Sequence, residues 1–290
     1  MFPLRDYDLA ATLGCGQAFR WALRGNALEG VVSGRWVRLR SEGPNLFAEV
    51  AETPPDWHWL TAHLRLDEDL AGILATFPDD PAMRAATAAC RGLRLLRQEP
   101  WECLASFILS STKQIVQIRQ CVQSLCERFG DPVAAPADAG PQFAFPAAAR
   151  FAAAAEPELR ACKLGFRAKY LRDAARRVAE GELDLETLRG LPTPAARERL
   201  MACFGVGRKI ADCVLLFAYG RQDAFPVDVW VLRALQQLYF PKRRPSKARL
   251  QRFTETHFGP NAGYAQQYLF HYMRLAAGRP GAAALTARSW

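Results

Sequence analysis

Residues 203–234, CFGVGRKIADCVLLFAYGRQDAFPVDVWVLRA, decide how this chain is read. Gly205-Val206-Gly207 permits a tight turn, and the apolar positions Ile210, Val214, Phe217 and Ala218 that follow it recur at helical spacing. Lys209 therefore falls in the first turn of a helix. Pro226 and Asp228 precede a second periodic stretch, Val229, Leu232, Leu235, Leu238 and Tyr239, which makes Asp228 its N-cap. An amine and a carboxylate thus stand 19 residues apart, each at the start of a helix.

A glycine turn entering a helix can hold a phosphate, because its amides and the positive end of the helix dipole both favour an anion. That dipole and the adjacent Arg208 favour the neutral amine of Lys209, whereas a nearby carboxylate favours the ammonium. The sequence leaves this balance open. Taken singly, each residue also suits an ordinary helical hairpin with a solvated lysine and a capping aspartate.

Upstream, apolar residues alternate from Phe19 to Val50, with turn signals at Gly25-Asn26, Gly34 and Gly43-Pro44, which predicts a small antiparallel sheet. After Pro54-Pro55 the spacing becomes helical. Residues 101–129 read as two helices separated near Ser111-Thr112, and the Ala-, Pro- and Gly-rich stretch 130–155 as a loop followed by a short helix opening at Pro146. The basic run Lys242, Arg243, Arg244, Lys247 and Arg249 reads as a solvated loop open to nonspecific phosphate contact. The expected fold is α+β, with a sheet domain and flanking helices over 1–90 and a helical core over 91–290.

The chain has 290 residues, 50% of them hydrophobic, enough for a sizeable core, and its net charge of +9 favours an anionic partner. The charged N-terminus and the lack of a long apolar run predict an intracellular protein without a membrane span. Eight scattered cysteines read as reduced thiols. Neither they nor the four histidines form a metal-binding spacing, so no metal and no cofactor are expected.

The hairpin with its lysine, followed by Pro226-Val227-Asp228, resembles the helix-hairpin-helix DNA glycosylase superfamily. Four further blocks bring the resemblance closest to the 8-oxoguanine DNA glycosylases: Gly16-Gln17-Ala18-Phe19-Arg20-Trp21, the run from Gly92 to Cys103, the run from Lys163 to Tyr170, and Ala262-Gly263-Tyr264-Ala265-Gln266. The absence of any cysteine after Cys213 separates the chain from relatives resembling endonuclease III, which carry a C-terminal four-cysteine iron–sulfur motif. The resemblance implies a monomer that acts on double-stranded DNA carrying a damaged base. Lys209 would form a Schiff base with the sugar, Asp228 would stabilise developing positive charge, and β-elimination would follow. Gly205, Val206 and Gly207 would hold the DNA backbone. Gly16 would meet the N7 proton of 8-oxoguanine, Gln266 its Watson–Crick edge, and Cys213 and Phe270 its two faces. Gly16 also suits a simple turn, and Phe270 simple packing.

Two places depart from the family pattern. Where many members have an Asn-Asn-Asn run and an arginine to read the orphaned cytosine, this chain has Thr112-Lys113-Gln114 and Gln117, with Phe166 where a wedging tyrosine is common. Only Arg167 matches among the DNA-contacting positions for that base, which implies a weaker preference for cytosine. Trp230 replaces the histidine often found two residues after the catalytic aspartate. Two other readings compete. A glycosylase for an alkylated purine would not need Lys209, and a noncatalytic helix-hairpin-helix protein would need the glycines but neither Lys209 nor Asp228.

Overall fold

The computed structural model describes residues 1–242 and 244–278; Arg243, within the basic run, lies outside the described residues. The N-terminal part is a five-stranded antiparallel sheet. Its strands are β1 (Phe2–Pro3), β2 (Ala22–Arg24), β3 (Ala27–Val32), β4 (Arg35–Glu42) and β5 (Asn45–Val50), in spatial order β1-β5-β4-β3-β2. The alternation over Phe19–Val50 accounts for β2 to β5. β1 carries no such signal, being two residues paired with Leu46 and Asn45 at the sheet edge.

Pairing of Leu28 with Leu39 and of Val37 with Val50 aligns the apolar positions of neighbouring strands. Leu28, Val37, Leu39 and Leu46 then bury one face of the sheet together with Leu60 and Leu64 of the helix His58–Leu64. A second, larger apolar core holds the helical part. The helices Leu70–Leu74 and Pro81–Ala89 contribute Leu70, Met83 and Ala86 to it, so the helical core reaches back across residue 90.

Buried Gln17 joins the two parts. Its side-chain amide donates to the carbonyls of Thr12 and Arg94, its side-chain oxygen accepts from the Leu96 N–H, and its backbone carbonyl accepts from Gln98 Nε2. Two of the sequence blocks, one around Gly16–Trp21 and one around Gly92–Cys103, thus meet in one satisfied polar network.

The helix Arg208–Phe217 is buried on almost every side, from Ile210 through Phe217, and packs against the helices Pro100–Leu109 and Thr193–Met201. As the sequence predicts, residues 101–129 form two helices, Pro100–Leu109 and Ile115–Phe129, divided by the turn 110–114. The stretch 130–155 differs from a plain loop. Pro132–Val133 and Gln142–Phe143 pair as a short antiparallel ribbon before the helix Ala148–Ala153, and strands this short leave no periodic signature. Downstream of Asp228 the helix Val229–Ala234 relaxes into a wider π turn over Leu235–Tyr239. No helix among the described residues is long and apolar enough to cross a membrane.

Candidate active site

The glycine turn connects Thr193–Met201 to Arg208–Phe217. Gly205 adopts φ +81°, and a Cβ there would come within 2.5 Å of the Tyr170 ring, so both conformation and space call for glycine. Val206 is buried and anchors the turn. Asp212 sets the second helix against the first. Its carboxylate is 1% exposed, accepts from Arg197 Nε at 2.6 Å and faces Arg208 Nε at 3.5 Å; burial raises its pKa, and the two guanidinium groups oppose that shift. Arg197→Met would leave Asp212 with Arg208 alone. Breaking a buried pair this way should cost about 3 kcal/mol, the lower end of the usual range because one cation stays. Urea melts measure it, and a loss under about 1 kcal/mol would show that Arg208 alone compensates the charge.

Lys209 is half-buried and points into a cavity of about 650 Å³. Its Nζ donates to Ser110 Oγ at 2.8 Å and lies 5.5 Å from the centroid of the Phe107 ring. Phe107 is itself stacked on Phe217 and set edge-on to Phe19, so an apolar wall of three rings backs the amine. Asp228 opens the helix Val229–Ala234, where one carboxylate oxygen accepts from the Trp230 and Val231 N–H groups at 2.9 and 2.8 Å. Burial raises its pKa, against the pull of those amides, Lys209 and Arg274. The cap is therefore real, and the same carboxylate lines the cavity that Lys209 enters.

The four residues expected to hold a base line this cavity too. Gly16 has φ +96°, and a Cβ there would lie 2.2 Å from Ile115 Cδ1. Cys213 is buried one helical turn beyond Lys209, and its thiol is pushed up to about 12 by burial. Phe270 is half-buried, with the Arg274 guanidinium 5.5 Å from its ring centroid. Gln266 is 3% exposed, yet its Oε1 has no hydrogen-bond partner among the described residues. A buried acceptor left open in a cavity calls for a ligand donor.

Of the residues expected at the opposing base, Thr112 and Phe166 both touch Arg167. Thr112 lines the cavity with φ +57°, while Gln117 uses its Oε1 to cap its own helix at the Gln114 N–H. Phe166 is 45% exposed. Arg167, by contrast, is 5% exposed, and its guanidinium donates to the carbonyls of Ser111 and Leu164 and to Thr112 Oγ1. It is not presented to solvent. Trp230 also lines the cavity, with Arg233 stacked 5.0 Å from its ring centroid. Ser110 is the functional residue that the sequence reading missed. It sits in a Ser-Ser pair that reads only as a helix end, and nothing in its spacing announces an amine 99 positions away. Among the described residues no group of three or more His, Cys, Asp or Glu side chains is arranged to hold a metal.

The description "8-oxoguanine DNA glycosylase, N-terminal domain" matches residues 1–104, and "HhH-GPD superfamily base excision DNA repair protein" matches residues 105–260. The chain belongs to the HhH-GPD superfamily. Within it the chain groups with the 8-oxoguanine DNA glycosylase/lyases. A probable N-glycosylase/DNA lyase of Methanothermobacter thermautotrophicus is 32% identical over 220 residues, 69% of each chain. The structure of MBOgg1 in complex with a low-affinity DNA ligand superposes with a TM-score of 0.89 at 35% identity over 94% of each chain. The 8-oxoguanine glycosylase/lyase of Clostridium acetobutylicum, in complex with double-stranded DNA containing cytosine opposite 8-oxoguanine, gives 0.87 at 31% over 94% of this chain and 93% of its own.

Proposed function

We propose that this protein is a bifunctional DNA glycosylase that excises 8-oxoguanine from duplex DNA and then cleaves the strand at the resulting abasic site. The observation that carries this reading is the convergence of the Lys209 amine and the Asp228 carboxylate on one cavity whose remaining wall holds Gly16, Cys213, Gln266 and Phe270. C1′ of a stacked nucleotide is out of reach, so the nucleotide is extruded into the cavity. The Lys209 lone pair forms a bond to C1′ while the glycosidic C1′–N bond breaks, and the base leaves with that electron pair and takes up a proton. Asp228 stabilises the positive charge that develops on the sugar. The ring then opens as the C1′–O4′ bond breaks and O4′ is protonated, leaving an iminium linked to Lys209. Loss of a C2′ proton and departure of the 3′ phosphate complete the β-elimination. The amine is what favours this reading over an alkylated-purine glycosylase or a purely DNA-binding hairpin, neither of which has use for it.

Gln266 Oε1 would accept from the Watson–Crick edge of the flipped base, which would give the open buried acceptor its partner. The enzyme would act as a monomer. Eight free, buried cysteines suit a reducing, intracellular setting. The test of substrate is borohydride trapping on duplexes carrying 8-oxoguanine, uracil, an alkylated purine or an abasic site. Trapping on the 8-oxoguanine and abasic duplexes supports the proposal; trapping on an alkylated-purine duplex without any on 8-oxoguanine would replace it.

The preference for cytosine opposite the lesion should be compressed by roughly tenfold or more relative to a relative with the Asn and Arg readers, since each bidentate base contact contributes about 1–3 kcal/mol of discrimination. Gln117 caps its own helix and Arg167 is committed to carbonyls, so neither offers such a contact. Single-turnover excision opposite C, A, G and T measures it. A cytosine preference equal to that relative's would show that other residues read the partner base.

A further inference from the structure

The Arg167 side chain is buried, and its contacts all lie within the protein. Nε donates to the Ser111 carbonyl at 2.8 Å, one terminal nitrogen to the Leu164 carbonyl at 3.2 Å, and the other to the Ser111 carbonyl and Thr112 Oγ1. The Phe166 ring lies over the guanidinium, 4.2 Å from its centroid. In all four of these contacts the acceptor is a carbonyl or hydroxyl oxygen. A guanidinium used this way is a staple between the start of the helix Arg167–Ala179 and the turn 110–114.

That turn needs holding. Thr112 sits at φ +57°, in the left-handed region that a β-branched residue avoids, and such a conformation persists only where its surroundings impose it. The residue at the turn's start is Ser110. Its hydroxyl donates to the Phe107 carbonyl at 2.6 Å, which leaves its oxygen lone pairs to accept from Lys209 Nζ at 2.8 Å. With one N–H spent on Ser110, the rest of the amine is turned to the cavity.

We propose that Arg167 is a positioning residue for Lys209: it clamps the Ser110–Thr112 turn, and through that turn it holds the Ser110 hydroxyl against the nucleophilic amine. The role rests on Lys209 being the nucleophile. It differs in kind from reading the opposing base, because it matters equally whatever base lies opposite the lesion and when no opposite strand is present.

Single-stranded DNA with one abasic site isolates the question. Ser110→Ala and Arg167→Gln should each slow borohydride trapping on it about tenfold, the effect of one hydrogen bond or its alignment. The double variant should be no slower than Ser110→Ala, since both act on one contact. Binding of duplexes with a tetrahydrofuran abasic analogue should be unchanged, which a general loss of fold would not allow. Normal trapping by Arg167→Gln on single strands, with loss confined to cytosine-opposed duplexes, would make it a base reader and overturn the proposal. Additive effects, or full-rate trapping by Ser110→Ala, would overturn it as well, and the Ser110 result stands even if Arg167→Gln does not fold. Lys209→Gln serves as control: trapping that survives in it would defeat the assignment of the nucleophile instead.

Discussion

Lys209→Gln should keep its affinity for lesion-bearing duplexes and lose base release, strand cleavage and borohydride trapping together, by about a thousandfold or more. Glutamine can still donate to Ser110 Oγ and pack against Phe107, so the cavity wall is kept while the lone pair that attacks C1′ is removed. Single-turnover excision and trapping measure the loss, and filter binding checks the affinity. Base release at the parental rate with only strand cleavage lost would mean that water attacks the sugar and that Lys209 acts afterwards.

Asp228→Asn should lower the single-turnover excision rate about a hundred- to a thousandfold with little change in melting temperature. The two roles of this carboxylate come apart in that variant. An Asn oxygen can still accept from the Trp230 and Val231 N–H groups, so the cap should lose at most about 1 kcal/mol. The charge facing Lys209 is gone. Because burial holds the Asp228 pKa above the ordinary aspartate range, the acid limb of the rate profile should fall above that range and vanish in Asp228→Asn. For stability the sign is opposite. A carboxyl whose pKa is raised by folding stabilises the fold fully below its ordinary pKa and loses that contribution as pH rises through the raised value, so a neutral amide should not weaken the fold at neutral pH. A variant that melts far lower yet excises at the parental rate per folded molecule would make Asp228 purely structural.

Much of this site could be read from the chain because its parts are local. A glycine turn, a lysine in the next helical turn and an aspartate cap each depend on a few neighbouring residues, so their placement follows from spacing alone. The sheet was legible for the same reason over β2 to β5, where alternation runs through several strands. What spacing does not carry is contact between distant segments. Ser110 reaches Lys209 only because the helices Pro100–Leu109 and Arg208–Phe217 pack side by side. Arg167 stood at the position of a base reader, but whether its guanidinium faces outward depends on where the Ser111 and Leu164 carbonyls lie in space. β1 and the ribbon Pro132–Val133/Gln142–Phe143 are each too short to show a period.

Two lysines line the cavity, Lys209 and Lys113, and in the proposed reaction it is Lys209 that bonds to the sugar. Trapping the wild-type protein on an 8-oxoguanine duplex with borohydride, digesting the adduct and sequencing the modified peptide by mass spectrometry tests this directly. The deoxyribose remnant should be on Lys209, in the peptide that begins after Arg208. A remnant on Lys113, or no adduct while the base is still released, would contradict it.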